Sequence, residues 1–216
     1  MVTRRAATSA TNGKRTRRGP FTRQQILDAS LSLFSQRGFA RTTVRDIARK
    51  AGITDAAIYY HFDSKRELLG ALVEERGFLA GLAELEQVEP IVPVEEAVQW
   101  HAAGAVNMMD QNRDFLRLII MEGLGGDEAA LEQYTLLMNL WEKALTAVFG
   151  RYAARGEIGP ESAPELATQV PYLILAAFQD SLLGRHGFAG SAEERQAALC
   201  TFLGPTLARI VRGHLV

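Results

Sequence analysis

The sequence predicts an all-α protein: an N-terminal three-helix helix-turn-helix domain followed by a larger helical domain. Three observations carry this. Apolar residues recur at three- and four-residue spacing through almost the whole chain. Glycines punctuate those stripes where helices must stop. Positive charge is concentrated at one end: residues 1–66 hold 14 Lys and Arg against 4 Asp and Glu, and residues 67–216 hold 10 against 21. A segment of net +10 followed by one of net −11 points to an N-terminal part that meets a polyanion, although a basic solvated tail would leave the same signature.

Residues 1–19 carry Arg4, Arg5, Lys14, Arg15, Arg17 and Arg18 with no acid and little that can pack. They are expected to form a disordered basic arm, which either touches DNA or only solubilises the chain. The helix-turn-helix domain is expected over residues 20–66. Its first helix follows Phe21, with Thr22 and Gln25 spaced as a capping box. Ile26, Ala29, Leu33 and Phe34 form its inner stripe, and Gly38 is its stop. A second helix follows Thr42-Thr43, with Val44, Ile47, Ala48 and Ala51 inside and Gly52 at its end. Thr54 caps a third helix running to about His61, anchored by Ile58 and Phe62. Ser64 and Glu67 then form a second capping box, opening a fourth helix with Leu68, Leu69, Leu72 and Val73 inside.

A larger helical dimerisation domain is expected over residues 67–216, the part to which the resemblance given below adds ligand binding. The pattern breaks over 81–93, where Pro90 and Pro93 flank an apolar pair, so this stretch reads as a linker. Val94, Ala97, Val98, His101, Ala105 and Met108 form the next stripe. Phe115, Leu116, Ile119 and Ile120 follow, stopped by Gly123-Leu124-Gly125-Gly126. The cleanest periodicity runs through Leu131, Tyr134, Met138, Trp141, Leu145, Val148 and Tyr152. Two long helices close the chain, at about 164–185 and 192–214. The first is apolar all round over 170–178, which demands cover on more than one side. A homodimer interface is the economical cover. Leu182 from the first, and Leu199, Phe202, Leu203, Leu207 and Ile210 from the second, are the expected interface residues.

Other classes fit poorly. No apolar run approaches the ~18 residues of a membrane span. The basic N-terminus is followed by no apolar core of a secretory signal, and a cytoplasmic protein with no membrane association is expected. Cys200 alone permits no internal disulfide and reads as a small buried hydrophobe, with a redox switch as the alternative. The four histidines (His61, His101, His186, His214) are scattered. No His-Glu-x-x-His pair or Gly-x-Ser-x-Gly elbow exists, and Gly123-Leu124-Gly125-Gly126 lacks the Lys-Ser/Thr of a phosphate loop. No enzyme, catalytic residue, metal site or cofactor is expected.

Four blocks then stand together: Ile26-Leu27-Asp28-Ala29; Leu33-Phe34-Ser35-Gln36-Arg37-Gly38-Phe39; Thr42-Thr43-Val44-Arg45-Asp46-Ile47-Ala48-Arg49-Lys50-Ala51-Gly52-Ile53; and Ile58-Tyr59-Tyr60-His61-Phe62-Asp63-Ser64-Lys65. In this order they closely resemble the DNA-binding domain of the TetR/AcrR family of bacterial transcriptional regulators. The resemblance covers about a quarter of the chain; beyond it only the helical layout is similar. It implies a homodimer closed by a four-helix bundle of the last two helices of each subunit. It also implies a cavity in each C-terminal domain whose small-molecule effector moves the DNA-reading heads apart and releases double-stranded DNA. A repressor is the first expectation, an activator of the same fold or a non-specific architectural DNA binder the alternatives.

On this resemblance Tyr60, His61 and Lys65 match positions that contact phosphate. Tyr59, next to the inward Ile58, is expected to project outward to bases or backbone. Thr43 and Thr54 cap their helices, and Thr43 is expected to donate to phosphate at the same time. Arg45 reaches guanine or phosphate, with neither favoured. His61 has a second reading, as a helix C-terminal residue balancing the dipole. Asp55-Ala56-Ala57 departs from the hydroxyl or glycine common in relatives. Ala57 offers only apolar contact, such as to a thymine methyl. Asp55 either accepts from cytosine N4 or is a first-turn acid favoured by the helix dipole. The operator therefore does not carry over.

Candidate effector contacts are Trp100, Asn107 and Met108; Phe115, Ile119 and Glu122; Tyr134, Met138 and Trp141; and Tyr172, Phe178 and Gln179. Ordinary core packing is the competing role for each. Glu122 and Asp180 would suit a cationic effector, and Arg113 and Arg117 an anionic one.

Overall fold

A computed structural model describes residues 23–186 and 188–216. The basic arm and the Thr22 cap lie outside the described residues. Within them the chain forms ten helices: α1 (Arg23–Arg37), α2 (Val44–Ala51), α3 (Asp55–Tyr59), α4 (Lys65–Glu75), α5 (Phe78–Glu86), α6 (Val94–Gln111), α7 (Arg113–Leu124), α8 (Glu128–Ala154), α9 (Ser162–Leu182) and α10 (Ala192–Arg212). None of them is long and apolar enough to cross a membrane.

Local chemistry sets the head, α1 to α3. Ile26, Leu27, Leu33 and Phe34 point inward from α1. Gly38, at φ +84°, ends that helix with its N–H 2.9 Å from the Phe34 carbonyl. A capping box opens α2: the Thr43 hydroxyl accepts from the Asp46 N–H, and the Asp46 carboxylate accepts from the Thr43 N–H. Gly52, at φ +72°, closes α2, with the Ile53 N–H on the Ala48 carbonyl. Thr54 caps α3, and Ile58 and Phe62 bury it against α1 and α2. Ser64 caps α4, but the reciprocal half of the expected box differs. Glu67 reaches one residue further back, to the Asp63 N–H.

The body is built around α8, a 27-residue helix packed on α5, α7 and α9. Its far side is closed by α10 lying along α6. Asp110 of α6 and Arg195 of α10 lock that pair with two guanidinium hydrogen bonds of 2.7 and 2.9 Å. This charge pair is largely hidden from solvent and needs its full set of bonds.

Two sequence expectations are corrected here. The stretch 81–93 is not wholly a linker: α5 runs to Glu86, and only the segment from Gln87 to Pro93 is irregular. Gly81 misled because a mid-helix glycine reads as a break. Here it allows close approach, since a Cβ on it would sit 2.8 Å from the Met108 methyl. The interface stripe on α10 is also shifted. Leu199, Leu203 and Leu207 are fully buried within the subunit as α10 packs on α6. A helix gives its strongest apolar stripe to its own core first. Phe202 is 44% exposed, and Leu182 and Ile210 are half-buried. Tyr172, Ala176 and Leu183 form the outward apolar side of α9.

Candidate DNA-reading face and effector cavity

On the head, Ile58 is 1% exposed and the next two side chains turn out: Tyr59 is 53% and Tyr60 85% exposed. Two neighbouring tyrosines so exposed contribute little to the core of the head. Tyr60 meets His61 edge to face at 5.1 Å. Thr54 and Asp55 are exposed and Ala57 is half-buried on the same short helix. Arg45 lies in solvent on α2, and among the described residues nothing holds its guanidinium. Arg41, Arg49 and Lys50 are also exposed, beside or on α2, and Arg49 pairs with Asp46 at 3.2 Å, so the head carries exposed cations without the N-terminal arm. These three were passed over in the sequence because the motif drew attention to α3.

Two expected phosphate donors are already engaged. The Thr43 hydroxyl accepts from Asp46 N–H and donates its only proton to the Asp46 carboxylate at 2.6 Å. Those bonds hold the Asp46 carboxyl below its ordinary range, so it remains a strong acceptor. Capping uses the hydroxyl as an acceptor, and the proton it would give to a phosphate is here given to Asp46. Lys65 sits 4.1 Å above the Phe39 ring and donates to the Phe39 carbonyl at 2.7 Å. Burial lowers its pKa, opposed by the charges of Asp127 and Glu122. Lys65 thus braces the α1–α2 turn, with its charge still at the edge of the head.

That turn is held from the other side by α7. A carboxylate oxygen of Glu122 accepts from the Ala40 N–H at 3.2 Å. The other lies so near Gly38 that a Cβ there would fall 2.6 Å from it. Gly38 is therefore constrained twice, by its positive φ and by the acid above it. Glu122 is a joint between head and body, and does not line the cavity.

The cavity, of about 410 Å³, lies inside the body between α5, α6, α7 and α8, with Leu175 of α9 at its back. Five expected contacts line it: Met108, Ile119, Tyr134, Met138 and Trp141. The other seven are elsewhere. Trp100 and Asn107 are on the outer side of α6, and Asn107 bonds Gln111. Phe115 is buried and stacked on Phe78. Tyr172 faces outward, and Phe178 is buried beneath the Arg113 guanidinium. Gln179 is half-buried on α9, away from the lining. Arg113 and Asp180 are not cavity charges either. Arg113 is spent on Asp110 and Ser181, and Asp180 on Arg185 and His186; Arg117 is exposed.

Sequence reasoning missed the α5 wall (Phe78, Leu82, Leu85), and on α6 it chose Trp100 and Asn107 on the outer side along with Met108 on the inner one. His101, Ala105, Met108 and Met109 face the cavity. The signal existed, since His101 falls on the inner stripe of α6 read from the sequence. Trp141 Nε1–H donates to His101 Nε2 at 2.9 Å. Burial pushes His101 down from 6.5 to about 4, so it is neutral near pH 7.

The depressed pKa makes stability depend on pH. Between pH 6.5 and about 4 the unfolded chain binds a proton at this imidazole that the folded chain refuses. The contribution is fully present above pH 6.5 and is lost as pH falls toward 4. The expected loss by pH 5 is ~1–2 kcal/mol, measured by urea unfolding at pH 7 and pH 5. His101→Gln should remove that part of the difference; an unchanged pH dependence would show that His101 titrates normally.

A helix-turn-helix head on an all-helical body with an apolar cavity is the architecture of a class of DNA-binding regulators. Comparison with known proteins agrees. Residues 26–72 match the family described as bacterial regulatory proteins, tetR family. The HTH-type transcriptional regulator TtgW of Pseudomonas putida is 36% identical over 115 residues, which is 51% of this chain and 79% of that protein. The regulator SrpR of Pseudomonas putida is also 36% identical over 115 residues, and there the match spans 50% of the relative's length. The solved structure of SmeT, the repressor of the Stenotrophomonas maltophilia multidrug efflux pump SmeDEF, shares the fold with a TM-score of 0.65 at 21% identity, covering 86% of this chain and 90% of that one. The chain belongs to the TetR family, whose members are transcriptional regulators and not enzymes.

Proposed function

We propose that the protein is a sequence-specific repressor that binds a palindromic operator as a homodimer and leaves it when a small molecule enters the body cavity. The observation that carries this is the pair Tyr59 and Tyr60, presented to solvent at the end of α3 on a head whose α2 segment also exposes Arg41, Arg45, Arg49 and Lys50. Aromatic hydroxyls set among cations suit a major groove flanked by phosphates. Thr54, Asp55 and Ala57 lie on the same helix, and Arg45 on the helix before it. The repressor sense is supported by SmeT, whose description is that of a repressor. The outward side of α9 (Tyr172, Ala176, Leu183) together with Phe202 of α10 supports a two-fold contact through these helices.

Selection from random duplex DNA tests the reading. It should converge on a two-fold palindrome whose half-sites lie about one helical turn, or a multiple of it, apart. Recovery of no common sequence would contradict it. Lys65→Ala should weaken binding to every duplex and reduce the salt slope by about 1 if the ammonium also reaches phosphate. An unchanged slope with weaker binding would leave Lys65 only its brace on Phe39.

A further inference from the structure

We propose that the effector is an uncharged, largely apolar molecule bearing a hydrogen-bond acceptor, and that the Nδ1–H of His101 reads that acceptor. The inference rests on the reading of the cavity as the effector site and names the class of molecule it takes.

A tryptophan Nε1–H only donates, so the His101 Nε2 that meets it at 2.9 Å must carry a lone pair. An imidazole with a lone pair on Nε2 has its single proton on Nδ1. Trp141 therefore fixes the tautomer and turns His101 into a donor at its other nitrogen. The two rings meet edge to face at 5.8 Å, which holds the orientation. Among the described residues nothing accepts from Nδ1, and none of their sealed side-chain nitrogens or oxygens lacks a partner. Nδ1–H is thus open, on a side chain that lines the cavity.

The rest of the wall sets the charge. Among the described residues no Lys or Arg lines the cavity, so a carboxylate or phosphate would meet no counter-ion there and would exchange part of its hydration for apolar wall. The only acid on the lining is Glu84, exposed on α5, which further disfavours an anion. Tyr134 also lines the cavity, but a phenol hydroxyl both donates and accepts and so would not discriminate. His101 is the group on this wall that demands an acceptor. A volume of about 410 Å³ is of drug-like size, larger than a single aromatic ring system needs.

Three naphthalenes of similar shape test this on the full-length protein, by quenching of tryptophan fluorescence and by calorimetry. 2-Acetylnaphthalene carries a ketone acceptor, 2-isopropylnaphthalene none, and 2-naphthoate a charge. The ketone should bind about 3–10-fold more tightly than the hydrocarbon, as one net hydrogen bond allows, and the carboxylate most weakly. His101→Phe should abolish the preference for ketone over hydrocarbon, and His101→Gln, which keeps a donor, should restore part of it. Thermal unfolding of each variant checks that the fold is kept. The inference is overturned if the carboxylate binds best, if no probe binds saturably, or if a folded His101→Phe protein keeps the wild-type ratio. DNA release by the bound ketone is scored separately. Its failure would count against the proposed function and leave the effector class standing.

Discussion

Replacing Tyr59 and Tyr60 together by alanine should cut operator affinity by about 100-fold or more, each lost contact costing ~1–3 kcal/mol. The head should melt as before. Ile58 and Phe62, at 1% and 2% exposure, pin α3 to α1 and α2, while the two tyrosines stand clear of that core. Their removal takes little from the packing: the covered half of Tyr59, and an edge contact between Tyr60 and His61. The pair thus separates binding from folding. Fluorescence anisotropy with the selected duplex reads the first, and circular-dichroism melting the second. A double variant that binds at wild-type strength would place the DNA-reading face elsewhere. The single variants then divide the labour. If Tyr60 meets phosphate, its loss should weaken all duplexes alike, whereas loss of a base contact at Tyr59 should relax preference at one position of each half-site.

Glu122→Ala should leave effector binding intact and weaken its consequence. Glu122 ends the helix that carries Leu116, Ile119 and Ile120 on the cavity wall, and its carboxylate accepts from Ala40 in the α1–α2 turn. The same turn is braced by Lys65 from α4. A shift of α7 on filling the cavity would therefore reach the base of the head by this hydrogen bond beside Gly38 and by the packing of α1 on α7. Coupling energies between effector and DNA sites are typically ~1–3 kcal/mol, roughly a 5- to 150-fold effect. Without the clasp the effect of saturating 2-acetylnaphthalene on DNA affinity should fall to about two-fold, while its own affinity for the DNA-free protein stays within about two-fold of wild type. Glu122→Gln keeps an acceptor and should retain most of the coupling. Undiminished release in Glu122→Ala would mean that the signal reaches the head by another contact, such as the ion pairs of Arg66 with Glu128 and Glu132.

The head was legible from sequence because its determinants are local. Gly38 and Gly52 sit at positive φ, Thr54 and Ser64 cap the next helices, and each of these acts within four residues of itself. The cavity was less so. A stripe tells which side of a helix points inward, but not whether it meets another side chain or a void. Phe115 and Ile119 share one helix and the same low exposure, yet only Ile119 lines the cavity. Trp100 stood out as the larger residue, and the neighbouring His101 was the one turned in. The α10 leucines failed for a related reason. Leu199, Leu203 and Leu207 were needed by α6, and periodicity does not say which of two partners claims a stripe. The second engagements of Thr43 and Lys65 were also invisible, since hydrogen bonds to Asp46 and Phe39 depend on side-chain geometry.

Sequence-specific DNA binding by this head is tested most directly by anisotropy titration of a duplex from immediately upstream of the protein's own gene, alongside the duplex recovered by selection. Both are titrated against scrambled competitor at several salt concentrations. At least the selected duplex should bind as a dimer complex that survives excess competitor, with a specificity ratio of roughly 10³ or more retained as salt rises. Equal affinity for all duplexes, vanishing together with salt, would contradict this and make the protein a non-specific binder of the DNA backbone.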